Sequence, residues 1–157
     1  MYGDIFIYVT NCRVKAMDIG FIRCGLLIFA ALALLHLIFT FRDLSTPKYF
    51  RPRDKTLLDR MQNTQISLAK NPKNFWMSYL GFNFSHCVGI LGFVFLFWIL
   101  SVIAPDIIFH PAFTTILIGT GVTYSVLSYK FWFSRPFIGS VIGTGLLILG
   151  TLIHFIK

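Results

Sequence analysis

Apolar and polar residues fall in long blocks along this chain, without short-range alternation. Four stretches are almost wholly apolar over about 20 residues, the length a helix needs to cross a hydrocarbon core about 30 Å thick. They cover residues 19–41, 76–104, 111–132 and 136–156. Strand-period alternation is missing, which argues against a β-barrel. The pattern therefore predicts an all-α fold: a four-helix transmembrane bundle, forming a single integral membrane domain over residues 1–157. Prolines mark the breaks. Pro105 ends the second span, Pro111 stands in the first turn of the third, and Pro136 opens the fourth. The two short connections make the second, third and fourth helices antiparallel neighbours. One sizeable loop remains, residues 42–75, which leaves no room for a soluble domain.

The first span differs from a secretion signal. It is too long, and Thr40-Phe41-Arg42 supplies no small-residue cleavage site. It reads as a retained helix. The residues before Met17 show no clear pattern, and Met17 is an alternative start, so that tail reads either as native or as an extension.

Composition agrees with the blocks. The chain is 56% hydrophobic and 13% charged, about half the charge of a soluble domain. Disorder is excluded by an aromatic content of 17%. Fourteen Lys and Arg stand against six acids, all of them Asp, for a net charge of +8. Position matters more than the total. Arg42, Lys48, Arg51, Arg53, Lys55, Arg60, Lys70 and Lys73 lie in the long loop, and Lys130 and Arg135 flank the last turn. Arg13, Lys15, Arg23 and Lys157 lie on the other side. Short basic loops stay cytoplasmic. The expected site is the inner (plasma) membrane, with residues 42–75 in the cytoplasm and both termini outside.

Within that loop, residues 54–68 have helical character. Asp54 can cap the helix, and Leu57, Met61 and Leu68 share a stripe. A short amphipathic helix with basic flanks (Arg51, Arg53, Lys55, Arg60) belongs at the membrane surface. The cations read either as ordinary positive-inside topology or as a surface for lipid headgroups or a docking protein. Pro and Asp interrupt them and no nucleic-acid motif is present, so nucleic acid is not an expected partner.

The polar residues inside the spans carry most of the functional information. On the second span, Tyr79, Asn83 and His86 share one face. Gly81, Ser85, Gly89 and Gly92, with Ser78, form a neighbouring small-residue face suited to close helix packing. His36 on the first span is the natural partner of Asn83 and His86, with Thr40 one turn beyond. The cluster His36, Thr40, Tyr79, Asn83 and His86 reads either as an interhelical hydrogen-bond clasp or as a binding or redox site. On the third span Thr114, Gly121, Ser125 and Ser128 share a face, with Thr115, Gly119 and Thr123 close by. The fourth span carries the packing pair Gly139 and Gly143, and His154 on the same side. His110 and His154 near the opposite surface, with Asp106, are a weak metal set, and no metal is assigned.

Cys12, Cys24 and Cys87 include no Cys-x-x-Cys pair. A Cys12–Cys24 disulfide is chemically allowed but not set by spacing, and Cys87 reads as a small buried hydrophobe. The four stretches hold no Asp or Glu, which counts against proton-coupled transport. Hydrolase, zinc-protease and phosphate-loop motifs are missing too.

Arg51-Pro-Arg-Asp54, Leu57-Leu58, Met61-Gln-x-Thr64, Phe75-Trp76 and Gly81-Phe-Asn-x-Ser-His86 with Gly89 resemble a family of small four-helix bacterial inner-membrane proteins of unknown function. The resemblance covers the first two spans and their loop. It implies that the loop and the Asn83/His86 face belong to one unit, and it brings no activity.

The expected function is non-enzymatic and cofactor-free: an accessory or scaffold subunit, or a homo-oligomer. Its partners would be the lipid bilayer and other membrane subunits or further copies of itself. The alternative is a membrane-embedded redox or binding protein in which His36, Asn83, His86 and Tyr79 hold a quinone, a lipid or a haem.

Overall fold

The computed structural model describes the backbone of residues 2–67 and 73–156, and side chains from Met17 onward. Among the described residues the elements are six helices: α1 (Tyr2–Ser45), α2 (Lys55–Asn63), α3 (Phe75–Ile103), α4 (Pro105–Ile108), α5 (Pro111–Phe131) and α6 (Ser134–Phe155). Four segments are long and apolar enough to cross a membrane: Met17–Ser45, Phe75–Ile103, Pro111–Phe131 and Ser134–Phe155. The fold class is all-α, and it fits the four-helix bundle that the apolar blocks predict.

Local chemistry explains the ends. Pro47 disfavours helix at Thr46, and α1 stops at Ser45. Pro105 closes α3 and opens the one-turn α4, an element the sequence reading did not foresee. Pro111 takes the first turn of α5, whose Ala112 N–H is accepted by His110 Nδ1 at 3.4 Å. Asp54 caps α2 by accepting from Thr56 N–H. The loop helix is shorter than expected, ending at Asn63 with Thr64 extended. Beyond it Gln65 pairs antiparallel with Asn74, and Thr64 C=O accepts from Phe75 N–H at 2.8 Å. Leu68, placed on the α2 stripe by the sequence, lies outside the described residues.

The chain divides into two compact units, Met1–Leu32 with Gly92–Lys157, and Ala33–Leu91. In the first, Ile22, Leu26, Phe29, Phe97, Ile108, Leu117 and Leu147 are buried. There α5 and α6 run antiparallel and very close. Ser128 Oγ meets Ser140 Oγ at 2.9 Å, and Ser125 Oγ meets Thr144 Oγ1 at 3.2 Å. A Cβ on Gly121 would stand 2.7 Å from Thr144 Oγ1. In the second unit, Ala33, Trp76, Leu80, Cys87 and Ile90 form the core.

The outside is apolar and much of the inside is polar. Phe82 is 71% exposed and its neighbour Asn83 only 8%. Asp18, Thr40, Asp43, Ser101, Ser128 and Ser140 are buried, while Phe41, Phe95 and Ile103 are exposed. Water would make such a surface costly, whereas lipid suits it. Among the described residues, every buried side-chain nitrogen and oxygen has a hydrogen-bond partner.

Candidate functional site

The second unit brings the intramembrane polar residues together. His36 lies on α1, nine residues before Ser45, about 14 Å in from that helix end at 1.5 Å per residue. Asn83 faces it from α3. Asn83 Nδ2 donates to Tyr79 C=O at 2.9 Å, one turn back, where only a donor fits. The amide oxygen therefore points at His36, 2.8 Å from Nε2. Since that oxygen can only accept, His36 Nε2 carries a proton. The His36 and His86 rings lie 5.8 Å apart, tilted by 58°. Thr40 serves differently from a ligand, its hydroxyl donating to His36 C=O at 2.8 Å. Tyr79 contributes its carbonyl, and its ring sits 5.8 Å from Trp76.

Asp43, unremarked in the sequence, anchors the roof of this cluster. Its buried carboxylate accepts from Lys48 N–H at 2.9 Å, Tyr49 N–H at 2.9 and 3.2 Å, and Phe50 N–H at 2.7 Å. The loop is thereby folded back along α1. Phe50 stacks on His36 at 4.7 Å and Tyr49 on Phe39 at 4.5 Å. Arg42 Nη1 donates to Tyr49 Oη at 2.9 Å. His36 is thus held by an amide on one side and a phenyl ring on another.

Residues 19–41 hold no carboxylate, but the candidate span Met17–Ser45 is longer and takes in Asp18 and Asp43 near its ends, each fully buried. Charged residues near the ends of an apolar run look like its borders. Here the helix runs past them and turns them inward, where hydrogen bonds hold them.

In the first unit Asp18 Oδ2 lies 3.0 Å from His154 Nδ1, and Asp18 Oδ1 accepts from Ile19 N–H at 2.7 Å. The His154 ring lies flat on Phe109, centroids 3.6 Å apart and planes within 1°. Arg23 donates from Nε to Ser101 Oγ at 3.0 Å and from Nη2 to Ser101 C=O at 2.7 Å, satisfying a carbonyl of the last α3 turn. The Trp98 ring lies 5.9 Å from the guanidinium. These contacts replace the weak His110–His154–Asp106 grouping. Among the described residues no three His, Cys, Asp or Glu side chains gather as a metal site. Cys24 and Cys87 are free thiols; the Cys12 side chain lies outside the described residues.

The small residues separate into two classes. Gly139 packs against Leu32, and Gly143 against Phe29 and the Gly25 backbone. Gly81, Gly89 and Gly92 have no such neighbour: a Cβ on any of them would meet nothing within 4 Å. Ser85 is exposed, its hydroxyl turned back to Phe82 C=O at 2.8 Å. Among the described residues, nothing closes over the Gly81, Gly89 and Gly92 positions of the α3 stripe. Arg51, Arg53, Lys55 and Arg60 are all exposed.

Compared with protein-family models, with curated proteins and with solved structures, the chain finds no match in any of the three.

Proposed function

We propose that this small multi-pass membrane protein works by association, as an accessory or scaffold subunit or a homo-oligomer, using the α3 face of Gly81, Ser85 and Gly89 as its contact surface. The observation that carries this reading is the contrast between filled and open glycines. Gly25, Gly121, Gly139, Gly143 and Gly150 are each closed over by a neighbour, whereas Gly81, Gly89 and Gly92 on α3 are open, as are the single positions Gly20, Gly119 and Gly145 on the other helices. On α3 alone do the open glycines line up, with the exposed Ser85 between Gly81 and Gly89. In lipid, apolar surface alone gives helices no reason to associate, and close backbone approach at small residues supplies it. The His36–Asn83 pair supports the same reading. Both ends of the Asn83 amide are used within the chain, as a clasp between helices requires, and such a bond contributes about 0.6 to 2 kcal/mol. The proposed setting is the inner membrane, with residues 42–75 in the cytoplasm and both termini outside; a C-terminal reporter active in the cytoplasm contradicts that orientation.

Native mass spectrometry from mild detergent tests the association. The expected result is a defined multimer or heteromer that Gly89→Leu dissociates while the chain stays folded. A monomer carrying a small molecule, or a Gly89→Leu chain that remains assembled, refutes it.

A further inference from the structure

We infer that α2 and the segment leading into it form a docking surface for anionic phospholipid headgroups, with the apolar side of α2 immersed in the leaflet that faces it. The first support is the state of the acids. Residues 42–67 hold three carboxylates, and each is engaged close by. Asp43 holds three backbone N–H groups of Lys48–Phe50. Asp54 accepts from the Thr56 backbone and hydroxyl, each at 2.8 Å. Asp59 accepts from Asn63 Nδ2 at 3.1 Å. Among the described residues, no Lys or Arg of this loop lies within 4.0 Å of a carboxylate. Arg51, Arg53, Lys55 and Arg60 therefore stand exposed with their charge unneutralised.

The second support is the helix itself. On α2, Leu57, Met61 and Leu58 fall within about 100° of arc, and Lys55, Asp59, Arg60 and Asn63 fill the remainder. No residue of α2 is buried, and Leu57 is 46% exposed. Of this arc Leu57 is exposed and Leu58 and Met61 are half-buried, so it keeps apolar surface to offer, and the helix sits between two long apolar helices, in the connection from Ser45 to Phe75. A partly exposed apolar arc flanked by exposed cations, tethered beside a bilayer, fits a negatively charged lipid surface. The sharp return set by Asp43 keeps the segment from swinging away, since Tyr49 and Phe50 are stacked onto α1.

The test uses the full chain with its three cysteines replaced by Ser and a single Leu57→Cys carrying an environment-sensitive fluorophore. It is reconstituted in vesicles of phosphatidylcholine alone, or with one third phosphatidylglycerol. The expected result is a blue-shifted emission, quenched by lipid-chain quenchers, in the anionic vesicles, and reversal toward the neutral-vesicle value as salt is raised. Each of R51Q, R53Q, K55Q and R60Q should lower the immersed-to-free ratio about fivefold, the equivalent of about 1 kcal/mol per cation near an anionic surface. A label that stays in water in both vesicles overturns the inference and leaves the face to a soluble protein. Equal immersion in both compositions, insensitive to salt and to the Gln variants, overturns it as well, and leaves the cations as topology determinants.

Discussion

Replacing Asp43 by Ala is the sharpest test of how the loop is held. One buried carboxylate accepts four contacts of 2.7 to 3.2 Å from three consecutive backbone N–H groups. Without it three donors, on the exposed Lys48 and the half-buried Tyr49 and Phe50, lose their acceptor, and each such hydrogen bond contributes a net of about 1–1.5 kcal/mol. At the low end of that range the loss is about 3 kcal/mol. Against it stands a gain: Asp43 sits in the last turn of α1, where a negative charge faces the negative helix end at a cost of about 0.3–1 kcal/mol. The net is about 2 kcal/mol, or roughly a thirtyfold rise in the opening equilibrium of residues 46–50. Hydrogen exchange of the purified chain in detergent reads this directly. The Lys48, Tyr49 and Phe50 amides should exchange about thirtyfold faster in Asp43→Ala. Asp43→Asn should fall between, because it keeps one acceptor oxygen and removes the dipole cost. Exchange within threefold of the parent in Asp43→Ala would sink the idea that this carboxylate anchors the loop.

Three further outcomes follow. The Thr56 hydroxyl, then the Thr56 N–H, hold the Asp54 carboxyl below its ordinary 3.8; a lowered folded value means the cap is intact at neutral pH and is lost as pH falls through that value. The Thr56 amide shift should therefore titrate below 3.8, and a midpoint above it contradicts the cap. On α6, Gly150→Ala sets a Cβ 2.7 Å from Asp18 C=O and should cost about 1–3 kcal/mol. Gly145→Ala meets nothing within 4 Å and should gain up to about 1 kcal/mol in helix propensity; thermal unfolding in detergent should order the two accordingly. A double-mutant cycle on Ser128→Ala and Ser140→Ala, 2.9 Å apart, should give a coupling near 0.6 kcal/mol; zero coupling would mean that each hydroxyl is content with its own helix carbonyl.

The four long apolar helices are legible from the sequence because length and composition decide them, and prolines decide most of their ends. The end of the first helix at Ser45 is not, because Arg42 and Asp43 look like a border. Only the return of the chain after Pro47, which brings Lys48, Tyr49 and Phe50 back over α1, shows why Asp43 can be buried. His36, Asn83 and His86 could be grouped from helical phase and depth. The amide orientation could not, because it follows from the Tyr79 carbonyl. Small-residue spacing marks a packing face without saying whether its own chain fills it. The Gly139–Gly143 and Gly81–Gly89 patterns look alike in sequence, yet the first is closed by Leu32 and Phe29 and the second is open. Helix α2 ends early for a reason outside its own propensity, the pairing of residues 64–66 with 73–75.

For four of the six acids, Asp18, Asp43, Asp54 and Asp59, the choice of Asp finds a physical reason in these contacts. Asp18 bonds the N–H of Ile19, Asp43 those of Lys48–Phe50, Asp54 that of Thr56, and Asp59 the Asn63 amide one turn on. Bonds to near backbone groups favour a short side chain, which is why Asp caps and turns where Glu does not. A carboxylate one methylene farther out would reach past the N–H groups it serves and toward the neighbouring Lys and Arg. Asp at these positions therefore does two things at once. Asp18, Asp43 and Asp54 satisfy nearby backbone donors, and Asp43, Asp54 and Asp59 leave the cations of the loop without a carboxylate within 4.0 Å among the described residues. The exposed cations Arg51, Arg53, Lys55 and Arg60 are thus presented outward beside an amphipathic helix, and the same choice of side chain that closes the loop leaves their charge free to face an anionic leaflet.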